Sequence, residues 1–297
     1  MKSKNGYIFR GAATALVTPF RGGEVDFDAL GRLIERQIVS GIDALVICGT
    51  TGESATLSDS EHRAVLSYAF EVAEGRVPMI AGTGSNDTAH AIEMSRFASS
   101  LGYDALLVVT PYYNKATERG LVKSFSAIAD ASDAPIILYN VPTRTCCNIS
   151  LPVYRELAKH SNIVAVKEAS GNMSAIAELF AECGGDFDIY SGNDDQTLPM
   201  LSLGGAGVIS VVSNIIPVEM SELCRAWFDG DIAESRRLHE KYLRLMKAMF
   251  CEVNPIPVKI ALSLMNLCEG KLRLPLCECG DATMARIGEL LREYGMV

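Results

Sequence analysis

The segment Ala44-Leu-Val-Ile-Cys48 is a continuous apolar run, and it leads directly into the polar turn Gly49-Thr-Thr-Gly-Glu53. A helical pattern follows from Ser58 to Glu74. It opens with a capping box, in which the side chains of Ser58 and Glu61 satisfy each other's free backbone amides. A strand without polar alternation is typical of a parallel sheet that is covered on both faces. This stretch therefore predicts one complete β-α unit.

The same order of strand and helix recurs through most of the chain. Apolar runs predict strands near Ala12–Thr18, Ala44–Cys48, Met79–Ala81, Ala105–Val109, Ile136–Tyr139, Val164–Lys167, Asp188–Tyr190 and Gly207–Ser210. Repeated units of roughly 20–35 residues match a closed (β/α)8 barrel of typical length. A doubly wound open sheet would instead need a phosphate-binding glycine loop after its first strand, where this chain has Thr18-Pro19-Phe20. We therefore predict an α/β fold, a (β/α)8 TIM barrel.

The pattern changes after about Pro217, where the apolar runs stop. Helical patterns follow at Pro217–Asp229, Asp231–Phe250, Pro257–Cys268 and Asp281–Tyr294. We assign the first of them to the barrel and the others to a C-terminal helical extension. The predicted domains are a catalytic barrel at residues 1–229 and a helical region at residues 230–297, which packs on the barrel because no flexible linker separates them.

Charge and composition exclude several classes of function. The chain has 36 acidic and 27 basic side chains, for a net charge of −9, and no basic patch dominates. This balance argues against nucleic acid or an anionic membrane as a partner. No stretch of about 18 apolar residues is present to span a bilayer, and the first ten residues contain no long apolar run. We therefore expect a cytoplasmic protein.

The cysteines and histidines give no sign of a metal site. The nine cysteines have no regular spacing, and the pair Cys277-Glu-Cys279 is too close for a zinc knuckle. In a reducing cytosol we expect free, mostly buried thiols. The four histidines form neither an HxH nor an HExxH pattern. The sequence therefore predicts no metal, which disfavours a zinc-dependent aldolase.

Chemistry in a (β/α)8 barrel is located where the strands end and the loops begin. Lys167 ends the buried strand Ile163–Val166, and burial disfavours its charged form. A neutral amine can attack a ketone and form an imine. The alternative is a buried ion pair with Glu168, although neighbours on a strand point to opposite faces. Position alone leaves these two interpretations balanced.

Other polar residues at predicted strand ends suit an acidic substrate. Tyr139 and Tyr113 are candidate proton carriers in a chain with a threonine, although an aromatic residue at a strand end more often serves packing. The amides and hydroxyls of the turn at residues 49–52 suit a small anion such as a carboxylate. Arg144 offers a planar fork for a second carboxylate or for a structural salt bridge.

Together these motifs resemble dihydrodipicolinate synthase (4-hydroxy-tetrahydrodipicolinate synthase), of the superfamily of pyruvate-dependent class I aldolases and N-acetylneuraminate lyase. The motifs are, in order, Gly49–Glu53, Thr110–Tyr113, Tyr139–Arg144, the Lys167 strand and Asn254-Pro-Ile-Pro-Val-Lys259. The resemblance covers nearly the whole chain. It implies a barrel with C-terminal helices, assembled as a homotetramer of two tight dimers. It also implies a lyase that condenses pyruvate with aspartate-4-semialdehyde in lysine and diaminopimelate biosynthesis.

The resemblance also implies roles for the residues that carry the chemistry. Lys167 would form the imine with pyruvate. Tyr139, Thr51 and Tyr113 would form a proton relay, with Tyr113 reaching in from the neighbouring subunit. The imine is an electron sink that lets a methyl proton leave, so the reaction needs neither a metal nor an organic cofactor.

A second set of residues would hold the substrates. Thr50 and Thr51, with nearby amides, would bind the pyruvate carboxylate, and Arg144 would bind the carboxylate of the semialdehyde. Gly192 and Ile209 would line the site. One departure is Cys146, which with Cys147 follows Thr145 where many relatives have glycine, so the loop backbone and the acceptor pocket are expected to differ there.

A third set matches the cleft through which lysine inhibits some relatives. Its matched members are Ser54, Ala55, His62, Asn86 and Tyr112. His90 stands where inhibited relatives usually carry an acidic residue, and Asp59 stands where they often carry histidine. Because His90 removes a carboxylate that would bind the effector's amine, we expect feedback by lysine to be weak or absent.

The sequence leaves three other functions to consider. N-acetylneuraminate lyase and other keto-acid aldolases share the lysine and the tyrosine, but the run Tyr139–Thr145 favours the synthase because a short dianionic partner needs Arg144. A pyridoxal-phosphate barrel enzyme would need a phosphate site, and none is evident. A non-catalytic sensor on this scaffold would be expected to lose Lys167 or the tyrosines, which this chain keeps.

Overall fold

A computed structural model describes residues 6–297 of the chain, so the first five residues of the predicted barrel domain lie outside it. The strands are β1 (Gly11–Ala15), β2 (Phe20–Arg21), β3 (Glu24–Val25), β4 (Ala44–Ile47), β5 (Met79–Gly82), β6 (Ala105–Val109), β7 (Ile136–Asn140), β8 (Ile163–Glu168), β9 (Asp188–Ser191) and β10 (Gly207–Ser210). The closed barrel has the order β1-β10-β9-β8-β7-β6-β5-β4, and β2 and β3 form a separate antiparallel pair. The predicted (β/α)8 barrel is confirmed.

The barrel strands are buried on both faces, which explains their unbroken apolar sequences. Every residue of β4, β7 and β8 is buried. The parallel register pairs Tyr139 of β7 with Lys167 of β8, and Lys167 with Tyr190 of β9. Residues paired in a parallel register point to the same face of the sheet. The strand sequences thus bring the Tyr139 and Lys167 side chains together.

The helices alternate with the barrel strands and then continue beyond them. They are α1 (Phe27–Val39), α2 (Asp59–Ala73), α3 (Thr88–Leu101), α4 (Glu118–Asp130), α5 (Pro142–Thr145), α6 (Leu151–Leu157), α7 (Met173–Cys183), α8 (Thr197–Ser202), α9 (Pro217–Phe228), α10 (Ile232–Ala248), α11 (Ile256–Leu264) and α12 (Asp281–Glu293). The capping box predicted at Ser58 and Glu61 begins α2. Among residues 6–297, no helix is long and apolar enough to cross a membrane.

The chain divides into two compact units. The first contains Pro78–Ile209 and the segment that ends at Arg10, and the second contains Gly11–Val77 and Ser210–Val297. The predicted domain boundary between residues 229 and 230 falls inside the second unit and stays a prediction.

Candidate active site

Lys167 is buried at the end of β8, and no residue of the described range 6–297 gives it an anionic partner. Its side chain lies against Tyr139, with Nζ 4.3 Å from the centre of the tyrosine ring. Lys167 is 5% exposed, and Tyr139 is also buried. Among residues 6–297, no carboxylate lies within ion-pair distance of the Lys167 amine. This lysine is therefore placed beside a phenol rather than beside an acid.

Glu168, the candidate partner in an ion pair, points away from Lys167 and is satisfied by neutral groups. Its carboxylate accepts hydrogen bonds from Asn140 Nδ2 at 2.9 Å, from the Tyr154 hydroxyl at 2.9 Å and from the Ser170 amide at 2.7 Å. Burial and the adjacent carboxylate raise the pKa of Tyr154 well above its usual value, so this hydroxyl stays protonated as a donor. The ion pair considered for Lys167 and Glu168 is not formed.

The absence of a side chain at Gly192 leaves room for the side chain of Lys167. A Cβ atom added at Gly192 would lie 2.6 Å from Ala169 Cβ and 3.2 Å from Lys167 Cε. The Gly192 amide also donates to the Glu168 carbonyl at 2.7 Å, which holds the two segments close. Any larger residue at position 192 would therefore displace the lysine or its strand. Ile209, predicted to line the site, is fully buried in β10.

The loop after β7 carries Arg144, which lies exposed on the short helix α5. Asn140 anchors this loop, because its Nδ2 donates to Asn148 Oδ1 at 2.9 Å and its Oδ1 accepts from the Ile149 amide at 3.1 Å. Cys146 ends α5 with a φ of 51°, in the left-handed region that favours glycine. Cys146 therefore has a backbone conformation that favours glycine. Glycine is the residue that we expect at this position in many relatives.

Thr50 and Thr51 lie in a tight turn after β4. The Gly52 amide donates to the Gly49 carbonyl at 3.0 Å, and the Glu53 amide donates to the Thr50 carbonyl at 3.1 Å. Thr51 is 2% exposed. Its hydroxyl oxygen accepts a hydrogen bond from Asn254 Nδ2 at 3.0 Å. The turn is thus held in place through its own backbone and through a residue far along the chain.

A second buried lysine contacts this turn, and the motifs at the strand ends did not predict a role for it. Lys259 is completely buried, and its Nζ donates to Glu53 Oε1 at 2.6 Å. Glu53 Oε2 accepts from the Arg273 amide at 3.2 Å. Burial lowers the pKa of Lys259, while Glu53 opposes that shift. A lysine inside the mostly apolar helix α11 indicates a buried position, but no local pattern identifies Glu53 as its partner.

Tyr113 is not part of the buried group around Lys167. Its side chain is 93% exposed, and its φ of 68° is in the left-handed region. Tyr112 beside it is also partly exposed.

The residues matched to the lysine cleft are divided between the two compact units. Ser54 and Ala55 form part of a 3-10 turn, and His62 is buried on α2. Asn86 and His90 lie at the beginning of α3, where the Asn86 carbonyl accepts from Asn114 Nδ2 at 2.9 Å. The cleft itself stays a prediction.

The cysteines are all free, as expected, but fewer are buried than expected. Cys48, Cys147, Cys183 and Cys224 are buried, whereas the other five are partly or fully exposed. In the described part of the chain, no group of three or more histidine, cysteine, aspartate or glutamate residues is arranged to hold a metal ion.

Comparison with known proteins places this geometry in a family. Residues 8–293 match the model of the dihydrodipicolinate synthetase family. The chain is 49% identical over 290 residues to the 4-hydroxy-tetrahydrodipicolinate synthase of Acetivibrio thermocellus, covering 98% of this chain and 99% of the relative. The crystal structure of dihydrodipicolinate synthase from Aquifex aeolicus superposes with a TM-score of 0.95 at 45% identity, covering 97% and 99% of the two chains. The enzyme from Cyanidioschyzon merolae, crystallised with lysine bound, gives 0.94 at 40% identity, covering 98% and 100%.

Proposed function

The chain belongs to the dihydrodipicolinate synthetase family, and we propose that Lys167 is the residue on which its reaction takes place. The enzyme condenses pyruvate with aspartate-4-semialdehyde to give 4-hydroxy-tetrahydrodipicolinate, on the route to diaminopimelate and lysine. The Lys167 amine adds to the keto carbon of pyruvate, and loss of water gives an imine. A methyl proton then leaves, and the resulting enamine carbon attacks the aldehyde. The acceptor's own amino group then displaces the lysine amine from the imine carbon, which closes the ring and frees Lys167.

The observation that carries this proposal is a buried amine without an acid beside it. An amine paired with a carboxylate keeps its proton and has no lone pair for a ketone. Lys167 Nζ instead lies 4.3 Å from the Tyr139 ring. A neighbouring phenol is a weak acid that can pass a proton without adding a permanent charge to the site. Retention of both residues also argues against a non-catalytic sensor.

We assign the remaining roles by the matched motifs. Tyr139, Thr51 and Tyr113 pass protons to and from the substrates. Thr50 and Thr51 hold the pyruvate carboxylate, since the tight turn presents hydroxyls and amides to a small anion. We assign Arg144 to the semialdehyde carboxylate, with Gly192 and Ile209 lining the site. No metal or organic cofactor has a role in this scheme.

The assay that tests the acceptor compares aspartate-4-semialdehyde with other aldehydes in the presence of pyruvate. The expected result is the highest kcat/KM for aspartate-4-semialdehyde. Replacing Arg144 by methionine should raise the KM for that acceptor and leave the KM for pyruvate nearly unchanged. An enzyme that preferred a sugar aldehyde, or an Arg144→Met variant with an unchanged acceptor KM, would contradict the assignment.

We also propose that Tyr113 works in a neighbouring subunit of a cytoplasmic homotetramer. Tyr113 is 93% exposed within one chain, whereas a proton carrier works in an enclosed site. A neighbouring subunit would supply that enclosure. Mixed oligomers of Lys167→Ala and Tyr113→Phe subunits give the test. If Tyr113 acts across the interface, each hybrid pair regains one intact site and activity returns on mixing. If it acts within its own chain, the mixture stays inactive.

Lysine feedback is proposed to be weak or absent, because a histidine at position 90 would meet the effector's amine without a carboxylate. Titration with lysine during turnover tests this. Strong inhibition below about 1 mM would contradict it, because a Kd of that size corresponds to a binding free energy of about −4 kcal/mol.

A further inference from the structure

Asn254 connects the C-terminal part of the chain to the threonine turn. It directly precedes Pro255 and α11, and its side chain is 5% exposed. Its amide nitrogen donates to Thr51 Oγ1 at 3.0 Å, across 203 residues of sequence. In the proposed function, the Thr51 hydroxyl is one of the groups that pass protons to and from the substrates.

The chemistry of the two groups fixes the direction of this bond. A hydroxyl has one proton and two lone pairs, whereas an amide nitrogen is only a donor. Because Asn254 donates here, one lone pair of Thr51 is occupied and the Thr51 proton must point to a different acceptor. A relay through Thr51 requires that this proton be directed away from Asn254.

The segment that contains Asn254 and α11 makes a second hydrogen bond to the turn at residues 49–53. Lys259, on α11, donates to Glu53 at 2.6 Å, so Asn254 and Lys259 hold the turn at Thr51 and at Glu53. All four residues are buried. The two bonds hold in place the Thr51 side-chain oxygen and the turn that carries it.

We propose that Asn254 is a positioning residue that orients the Thr51 hydroxyl for proton transfer. It acts through Thr51 and touches no substrate. The proposal rests on the proposed function, in which Thr51 belongs to the relay.

Two substitutions separate orientation from packing. Asn254→Asp keeps the shape of the side chain but replaces the donor by an acceptor. The carboxylate would then accept a hydrogen bond from the Thr51 hydroxyl, which reverses the direction of the bond. Asn254→Ala only removes the donor. With pyruvate alone in D2O, we expect methyl-proton exchange to slow about 100-fold in Asn254→Asp and about tenfold in Asn254→Ala, within the range for general acid–base steps. Borohydride trapping of pyruvate on Lys167 should continue in both.

A matched control addresses stability. Val258→Ala removes buried packing from α11 without changing either bond, so it should lower the unfolding temperature and leave exchange unchanged. A double-mutant cycle supplies the second readout. If Asn254 acts through Thr51, adding Asn254→Asp to Thr51→Val should cost nothing further.

The outcomes are distinguishable. Exchange at the normal rate in Asn254→Asp, equal losses in Val258→Ala, or full additivity with Thr51→Val would each overturn the positioning role. If the aspartate variant does not fold, Asn254→Ala and its cycle with Thr51→Val decide the question. If the unmodified enzyme traps no pyruvate on Lys167, the proposed function fails first, and this inference fails with it.

Discussion

Lys167 and Lys259 are both buried lysines, yet their surroundings differ in one decisive respect. Lys259 donates to Glu53 at 2.6 Å, whereas Lys167 faces the Tyr139 ring and has no carboxylate within ion-pair distance in residues 6–297. The two lysines are almost equally buried, since Lys259 is 0% exposed and Lys167 is 5% exposed. Burial alone therefore does not make a lysine reactive. Under the proposed function, the neighbouring group decides whether each amine serves as a structural cation or as a nucleophile.

The largest effect should follow the loss of the unpaired lysine. In Lys167→Met, we expect activity to fall on the order of 10⁴-fold or more, as for other covalent catalysts that lose their nucleophile. The free energy of unfolding should change by less than about 1 kcal/mol, because no buried acid loses a counter-ion. Steady-state kinetics and urea unfolding measure the two quantities. A large loss of stability would show that Lys167 is a structural residue after all.

The paired lysine should behave in the opposite way. Lys259→Met leaves the Glu53 carboxylate buried without its cation, so the free energy of unfolding should fall by about 3–5 kcal/mol. The double variant Glu53→Gln with Lys259→Met should regain most of that loss. Lys159→Met, which removes an exposed ion pair with Glu156, is the control and should cost less than about 1 kcal/mol. A double variant as unstable as Lys259→Met would argue against the charge explanation.

Crowding Lys167 tests whether its position matters as well as its lack of a partner. In Gly192→Ala the new Cβ would lie 2.6 Å from Ala169 Cβ, so the strand end must shift. Since a displacement of about 1 Å can cost on the order of 100-fold in rate, we expect trapping of pyruvate to slow at least about tenfold. Gly185→Ala, where a Cβ meets nothing within 4 Å, is the control. Equal trapping rates in the two variants would refute the steric role of Gly192.

A smaller, pH-dependent effect should come from Glu61, whose carboxylate pairs with Arg273. The Arg273 guanidinium lowers the pKa of Glu61 to about 2. A carboxylate with a depressed folded pKa stabilises the fold above its unfolded pKa, about 4.3, and this contribution is lost as pH falls towards 2. Stability of the unmodified protein and of Glu61→Gln should therefore converge between about pH 5 and pH 2.

The control for this pH effect is Glu156→Gln, which removes an exposed pair with Lys159. Such pairs contribute little, so its stability should follow that of the unmodified protein at every pH. A constant difference between the unmodified protein and Glu61→Gln from pH 7 to pH 2 would contradict the ion-pair account.

The sequence predicted the barrel because each barrel strand is a local apolar run, and the Lys167 strand was found in this way. It also predicted that Glu168 would face away from Lys167, since strand alternation is a local rule. The hairpin β2–β3 was missed because each strand has only two residues. The pairing of Lys259 with Glu53 spans 206 residues and depends on tertiary packing, which no local pattern reports.

Under the proposed function, Lys167 reacts with pyruvate and Lys259 does not. The most direct test is incubation of the enzyme with pyruvate and borohydride, followed by peptide mass mapping. We expect a reduced pyruvate adduct on the peptide that contains Lys167 and an unmodified Lys259 peptide. An adduct on Lys259, or no adduct on Lys167 in an active preparation, would contradict it.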